Sequence, residues 1–99
     1  MERDTLVVAI EALIFACGEP VSFNELKKVF ERFWKDEPAE RRKALVAELK
    51  PAFSAFKKYW ESDAVGSRGF KLVKVADGWV FRSHSDFSGL IAALREQRP

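Results

Sequence analysis

The hydrophobic pattern of the chain opens on a stretch with almost no polar side: between Thr5 and Cys17 only Glu11 carries a charge. At about 100° per residue, Leu6, Ile10, Leu13, Ile14 and Cys17 fall on one helical stripe, with Val8 and Phe15 about opposite. The first stripe suits a domain's own core, with Cys17 as a small apolar filler. A helix in so small a domain is hard to cover all round with its own chain. The second stripe is therefore a candidate contact with another molecule, the alternative being that later helices of the same chain cover both sides. Asp4 is the expected N-cap of this helix, and Gly18, followed by Pro20, its left-handed end.

A second helix is announced by Ser22 and Glu25, which form a capping box, and by Val21 and Leu26 at the two positions of a hydrophobic staple. Phe23, Leu26, Val29, Phe30 and Phe33 then supply its expected buried stripe, and the pattern fades near Trp34. Pro38 suits the first turn of a further helix capped by Asp36 or Glu37. Leu45, Leu49, Phe53, Phe56 and Trp60 keep one phase across the polar stretch that follows. Pro51 removes a donor inside that phase and crowds the preceding turn, which predicts two consecutive helices, over about 38–50 and 51–62, or one kinked helix.

The period then changes. Gly66 and Gly69 bracket a connection, after which FKLVKV at 70–75 and WVFRSH at 79–84 have the aromatic and β-branched content of strands. Asp77-Gly78 between them is a hairpin-turn signal, because both residue types tolerate positive φ. A last helix is expected from Ser85 or Asp86, with Phe87, Leu90, Ile91 and Leu94 at i, i+3, i+4 and i+7. Helix, helix, helix, hairpin, helix is the order of a winged helix-turn-helix domain whose hairpin is the wing. The predicted class is mainly α with a small β-hairpin, and with an added helix between helix two and the helix before the wing.

Composition narrows the reading. Ninety-nine residues, 47% of them hydrophobic, make one domain over 1–99 with a modest core. A net charge of +2 from 17 basic and 15 acidic side chains is a smaller excess than a dedicated nucleic-acid module carries, although a pI near 8.8 leaves room for a local basic patch. The single cysteine cannot form an intrachain disulfide and fits a reducing cytoplasm. Met-Glu-Arg-Asp before LIFAC is net acidic where export signals are basic, and the apolar run is shorter than the roughly 20 residues that span a bilayer.

Taken in order, IEALIFACGEPVSFNEL and RGFKLVKVADGWVFRSHSDFSGLI resemble the amino-terminal winged-helix domain of the segregation and condensation protein B (ScpB) family, over about two-thirds of the chain. The EALIFACGEP corner, the RGFKLVKVADGW hairpin and the exit from Arg82 to Phe87 carry the likeness. The chain departs from the family's compact form around DEPAERRKALVAELK at 36–50, where an inserted helix is expected. The resemblance implies a second winged-helix domain beyond this one, so that the chain is expected to be the amino-terminal piece of a two-domain protein. It also implies a non-catalytic accessory subunit of the bacterial condensin, cytoplasmic and nucleoid-associated. Such a subunit dimerises through this domain and binds the kleisin and, through it, the structural-maintenance-of-chromosomes (SMC) ATPase, in chromosome condensation and segregation. Val8, Glu11, Ala12 and Phe15 are the candidate dimer-interface positions.

Other chemistry finds little support. His84 has no cysteine or carboxylate pair near it in sequence and reads as a surface histidine; the serines Ser54, Ser62, Ser67 and Ser83 lack a nucleophile-elbow context, and no phosphate-binding glycine pattern occurs. No enzyme activity, metal, cofactor, membrane or small-molecule substrate is expected. The competing class is a winged-helix DNA-binding transcriptional regulator. Its candidate backbone contacts are Lys57 and Lys58 on the helix before the wing and Lys71, Lys74 and Arg82 on the wing, with Arg68 beside them. PAFSAFKKYWES offers no Arg, Asn or Gln for bidentate base contacts, which favours a solvated face or weak, indirect contact. Arg41, Arg42 and Lys43 form a basic cluster offset by Glu37, Glu40 and Glu48. Trp34, Trp60 and Trp79 read as packing residues, any one of which would anchor a partner if left exposed.

Overall fold

Five helices and a three-stranded antiparallel sheet follow one another in a computed structural model that describes residues 1–62 and 68–98. Helix α1 runs Arg3–Cys17, strand β1 Val21–Ser22, α2 Phe23–Phe33, α3 Ala39–Ala47, α4 Leu49–Glu61, β2 Phe70–Val75, β3 Gly78–Ser83 and α5 Ser88–Gln97, with a 3₁₀ turn at Ser85–Phe87 before α5. This is the expected winged helix-turn-helix order with the added helix, α3. Gly66 of the predicted connection lies outside the described residues.

Leu6, Ile10 and Ile14 of α1 are sealed against Leu49, Ala52, Phe53, Phe56 and Trp60 of α4, with Leu26 and Phe30 of α2 and Trp34 at its C-cap closing the core. The wing folds back onto α4 through aromatic rings: Trp60 meets Phe81 at 4.7 Å between centroids, Phe56 meets Phe81 at 6.1 Å, and Phe53 meets both Phe23, at 5.4 Å, and Trp79, at 6.5 Å. These spacings are those of offset and edge-to-face pairs, so the rings fix the sheet's position on the helices beyond simple area burial.

At the α1–α2 corner the left-handed helix end and the Ser22 half of the capping box are present, while among the described residues Glu25 makes no return bond to the Ser22 amide. Gly18 ends α1 at φ 70°, and the Ser22 hydroxyl accepts a hydrogen bond from the Glu25 backbone amide at 3.1 Å. The start of α1 differs: its N-cap is Glu2 rather than Asp4, no side chain caps it, and the Leu6 amide bonds to the Glu2 carbonyl at 2.9 Å. Cys17 is exposed rather than buried: it is the last residue of α1, one turn beyond Ile14, with which the buried stripe ends. Val29 and Phe33 of α2 are exposed too: only Leu26 and Phe30 of that stripe join the buried cluster, and Val29 and Phe33 border an open groove between α1 and α2.

The break between the two middle helices falls at Glu48, not at Pro51. Pro51 then lies in the first turn of α4, where an amide has no intrahelical acceptor to lose. Pro38 is the N-cap of α3 rather than its first residue, and neither Asp36 nor Glu37 caps it. Helix α3 contributes no buried residue and rests on the domain through the half-buried Leu45 and Val46. Of its basic cluster, Arg41 pairs with Glu37 at 3.3 Å and Arg42 donates to the Lys35 carbonyl at 3.1 Å, while Glu48 pairs instead with Arg3 of α1 at 2.9 Å.

The wing holds a strand that the sequence pattern did not predict and a turn one residue earlier than predicted. Val21 pairs with Trp79 and Ser22 with Gly78, so β1 lies beside β3 in the order β1-β3-β2. Because Val75 pairs with Gly78, the turn residues are Ala76 and Asp77, and the positive φ, 52°, belongs to Ala76. Gly78 serves a different need. A Cβ there would stand 2.8 Å from the Pro20 Cβ and 2.9 Å from its carbonyl carbon, so glycine is what lets the chain entering β1 approach β3. The last helix exists, but most of its stripe is uncovered: α5 has no buried residue, Ile91 is half-buried, and Leu90 and Leu94 are exposed.

A candidate self-association groove

The four positions predicted for an interface lie along a single groove. Val8, Glu11, Ala12 and Phe15 form its α1 wall, and Tyr59, Trp60, Arg68, Phe70 and Phe81 of α4 and the wing form the other, around a volume of about 300 Å³. Val8 is 63% exposed and Phe15 71%, so the apolar rim is open rather than covered by the same chain. Phe15 also reaches a smaller hollow of about 210 Å³ beside Phe70, Phe81 and Arg82.

Glu11 is the exception among the four. Its carboxylate accepts a hydrogen bond from the Trp60 indole Nε1 at 3.0 Å, which ties α1 to α4 and gives the buried indole its acceptor. The Arg68 guanidinium stands 5.7 Å from the Trp60 ring centre, so the groove carries one anionic and one cationic group on either side of an aromatic floor. The α4 and wing residues of the groove were not legible as site residues in the sequence. Trp60 and Phe81 look like core aromatics, and only the packing of the wing on α4 brings them to α1.

The order of elements, the α1–α2 corner and the wing together invite comparison with known proteins. Residues 8–99 match the family described as segregation and condensation complex subunit ScpB. The chain belongs to the ScpB family. A segregation and condensation protein B homolog from Coxiella burnetii (strain RSA 493 / Nine Mile phase I) is 29% identical over 92 residues, covering 93% of this chain and 38% of the relative. The chain thus spans well under half the length of that relative. No solved structure matches it significantly.

In this ScpB-family chain the candidate nucleic-acid residues do not form one surface. Lys57 lies over the Phe53 ring at 4.8 Å and the Trp79 ring at 5.6 Å, and Lys74 approaches the same Trp79 at 5.9 Å. Lys71 and Arg82 are paired across the β2–β3 ladder, and alternation puts them on the sheet face opposite Lys74 and Trp79. Lys58 is exposed on α4, one residue on from Lys57 and so about 100° round the helix from it. Trp34 and Trp60 are buried as expected, and Trp79 is half-buried under its two lysines.

His84 is half-buried rather than on the surface; among the described residues its ring Nδ1 has no hydrogen-bond partner, and it stands 3.7 Å from an Asp86 carboxylate oxygen. Among the described residues there is no group of three His, Cys, Asp or Glu placed to hold a metal ion, and no helix long and apolar enough to cross a membrane.

Proposed function

We propose that this domain is a non-catalytic accessory subunit of the bacterial SMC–kleisin condensin that self-associates through the α1 groove. As part of a two-domain protein it binds the kleisin, and through it the SMC ATPase, in chromosome condensation and segregation. Family membership supports the segregation role, and the relative from Coxiella burnetii carries segregation and condensation in its name. The observation that carries the self-association reading is the open apolar rim of α1: Val8 and Phe15 protrude beside an aromatic wall and have no use within the fold.

Phe15→Glu and Val8→Glu test it. Both side chains are exposed, so each variant is expected to keep the folding stability of the parent to within about 0.5 kcal/mol. Burial of Phe15 or Val8 in a twofold interface is counted once per copy, at about 1.5–3 kcal/mol each, so either substitution is expected to weaken the dimer by ~100-fold or more. Light scattering that finds the parent chain monomeric at high micromolar concentration refutes the reading. The DNA-binding regulator gains nothing from the separated lysines, and the expected result for it is no steeply salt-dependent duplex affinity.

A further inference from the structure

A second apolar groove lies on the other side of α1, and the chain carries a helix whose stripe matches it. Met1, Ala9, Leu13, Ala16, Val29 and Phe33 enclose about 450 Å³ between α1 and α2, without a charged side chain. Alanines along the α1 side allow a helix to approach closely, and Phe33, 72% exposed, stands up as a wall. Helix α5 leaves most of an apolar stripe open: Leu90 is 72% exposed and Leu94 53%, while Ile91 is half-buried and Phe87, at the N-cap, begins the i, i+3, i+4, i+7 series. The stripe from Phe87 to Leu94 and the Ala9–Ala16 run each span seven residue steps, roughly 10 Å, which is the geometry of an amphipathic helix in a groove.

We propose that α5 of one copy docks in the α1–α2 groove of a second copy, a contact that rests on the self-association reading and adds its second surface. The docking is between copies because the root of α5 is tied to the wing. The His84 amide bonds to the Gly69 carbonyl at 2.7 Å, and the wing packs on α4 and the opposite side of α1. Ala12 borders both grooves, so the two surfaces are continuous around α1. Each copy supplies both the helix and the groove, so the contact is made twice across a twofold axis. A stable interface needs roughly 800 Å² per partner, so the contact adds its surface to that of the Val8–Phe15 face.

Disulfide trapping in the whole chain tests the exchange. In a Cys17→Ser background, a copy with Ala16→Cys is mixed with a size-tagged copy with Leu90→Cys and oxidised, and Ala9→Cys is run in parallel because α5 could enter in either direction. The expected result is a covalent heterodimer from one of the two mixtures, and lower dimer mass by light scattering for Leu90→Glu/Leu94→Glu, whose positions are outside the core and leave the fold intact. No heterodimer from either mixture, with the parent still dimeric, overturns the exchange and leaves the self-association reading standing. A monomeric parent removes both. An intramolecular disulfide in single chains carrying Leu90→Cys with Ala16→Cys or Ala9→Cys overturns docking between copies.

Discussion

Gly78→Ala puts one methyl group where the structure has no room for it. Its Cβ would meet the Pro20 Cβ at 2.8 Å, the Pro20 carbonyl carbon at 2.9 Å and the Val21 amide nitrogen at 3.0 Å, against roughly 3.5–4.0 Å for ordinary carbon contacts. Two of the three atoms are backbone, so no rotamer change relieves them, and β1 has to move off β3 by more than half an ångström. Overpacking of this kind costs about 1–3 kcal/mol, and straining the two-residue β1 ladder adds up to about 1 kcal/mol per bond. Replacing a glycine returns about 0.4–1 kcal/mol through the unfolded chain. The expected net loss is about 1–3 kcal/mol, which for a domain of this length lowers the melting temperature by roughly 5–20 °C. Ala76→Gly is the control: it relieves an alanine at φ 52°, worth about 1–2 kcal/mol, against an entropic cost of about 0.5–1 kcal/mol, and is expected to be neutral or slightly stabilising. Urea or thermal unfolding followed by circular dichroism reads both. A Gly78→Ala loss under about 0.5 kcal/mol, or a clearly destabilised Ala76→Gly, refutes the assignment of the turn and of the close approach.

Two further substitutions probe how α1 and α2 are held. Ser22→Ala removes the hydroxyl that accepts from the Glu25 amide and is expected to cost about 1 kcal/mol in chemical denaturation, with Ser22→Asp restoring most of it. Glu11→Ala strands the Trp60 indole N–H at the groove floor and is expected to cost about 1–2 kcal/mol and to shift the tryptophan emission, whereas Glu11→Gln keeps an acceptor and loses less than half as much.

How far the sequence carried the fold depends on whether each signal was local. The Ser22 cap, the Gly18 terminus and the buried face of α4 are decided within one or two turns of helix, and each stands as read. What failed depended on contacts far along the chain. Asp77-Gly78 looked like a hairpin turn because nothing nearby in sequence says that Pro20 will press against Gly78. Val29, Phe33 and the α5 stripe had the right period for burial, but period says which face is apolar and not what covers it. Strand β1, two residues long, is below any length that alternation can mark. For the groove, the sequence supplied the α1 wall through the doubled stripe, while the aromatic wall needed the wing's docking on α4.

Helix α1 is asked to serve three neighbours at once, and this explains its composition better than any one of them. Leu6, Ile10 and Ile14 face α4 and α2 and are fully buried; Val8 and Phe15 stand on the edge shared with the wing; Ala9, Leu13 and Ala16 floor the groove beside α2. A helix with one buried face would carry lysines and glutamates on the rest of its circumference. Here the one charge between Thr5 and Cys17, Glu11, is directed at the Trp60 indole. An exposed apolar surface on both flanks of a core helix is a solubility liability in a monomer. It ceases to be one if both flanks are covered by a copy of the same chain, and α5, with Leu90 and Leu94 exposed on one stripe, is the part of that copy proposed to cover the flank beside α2.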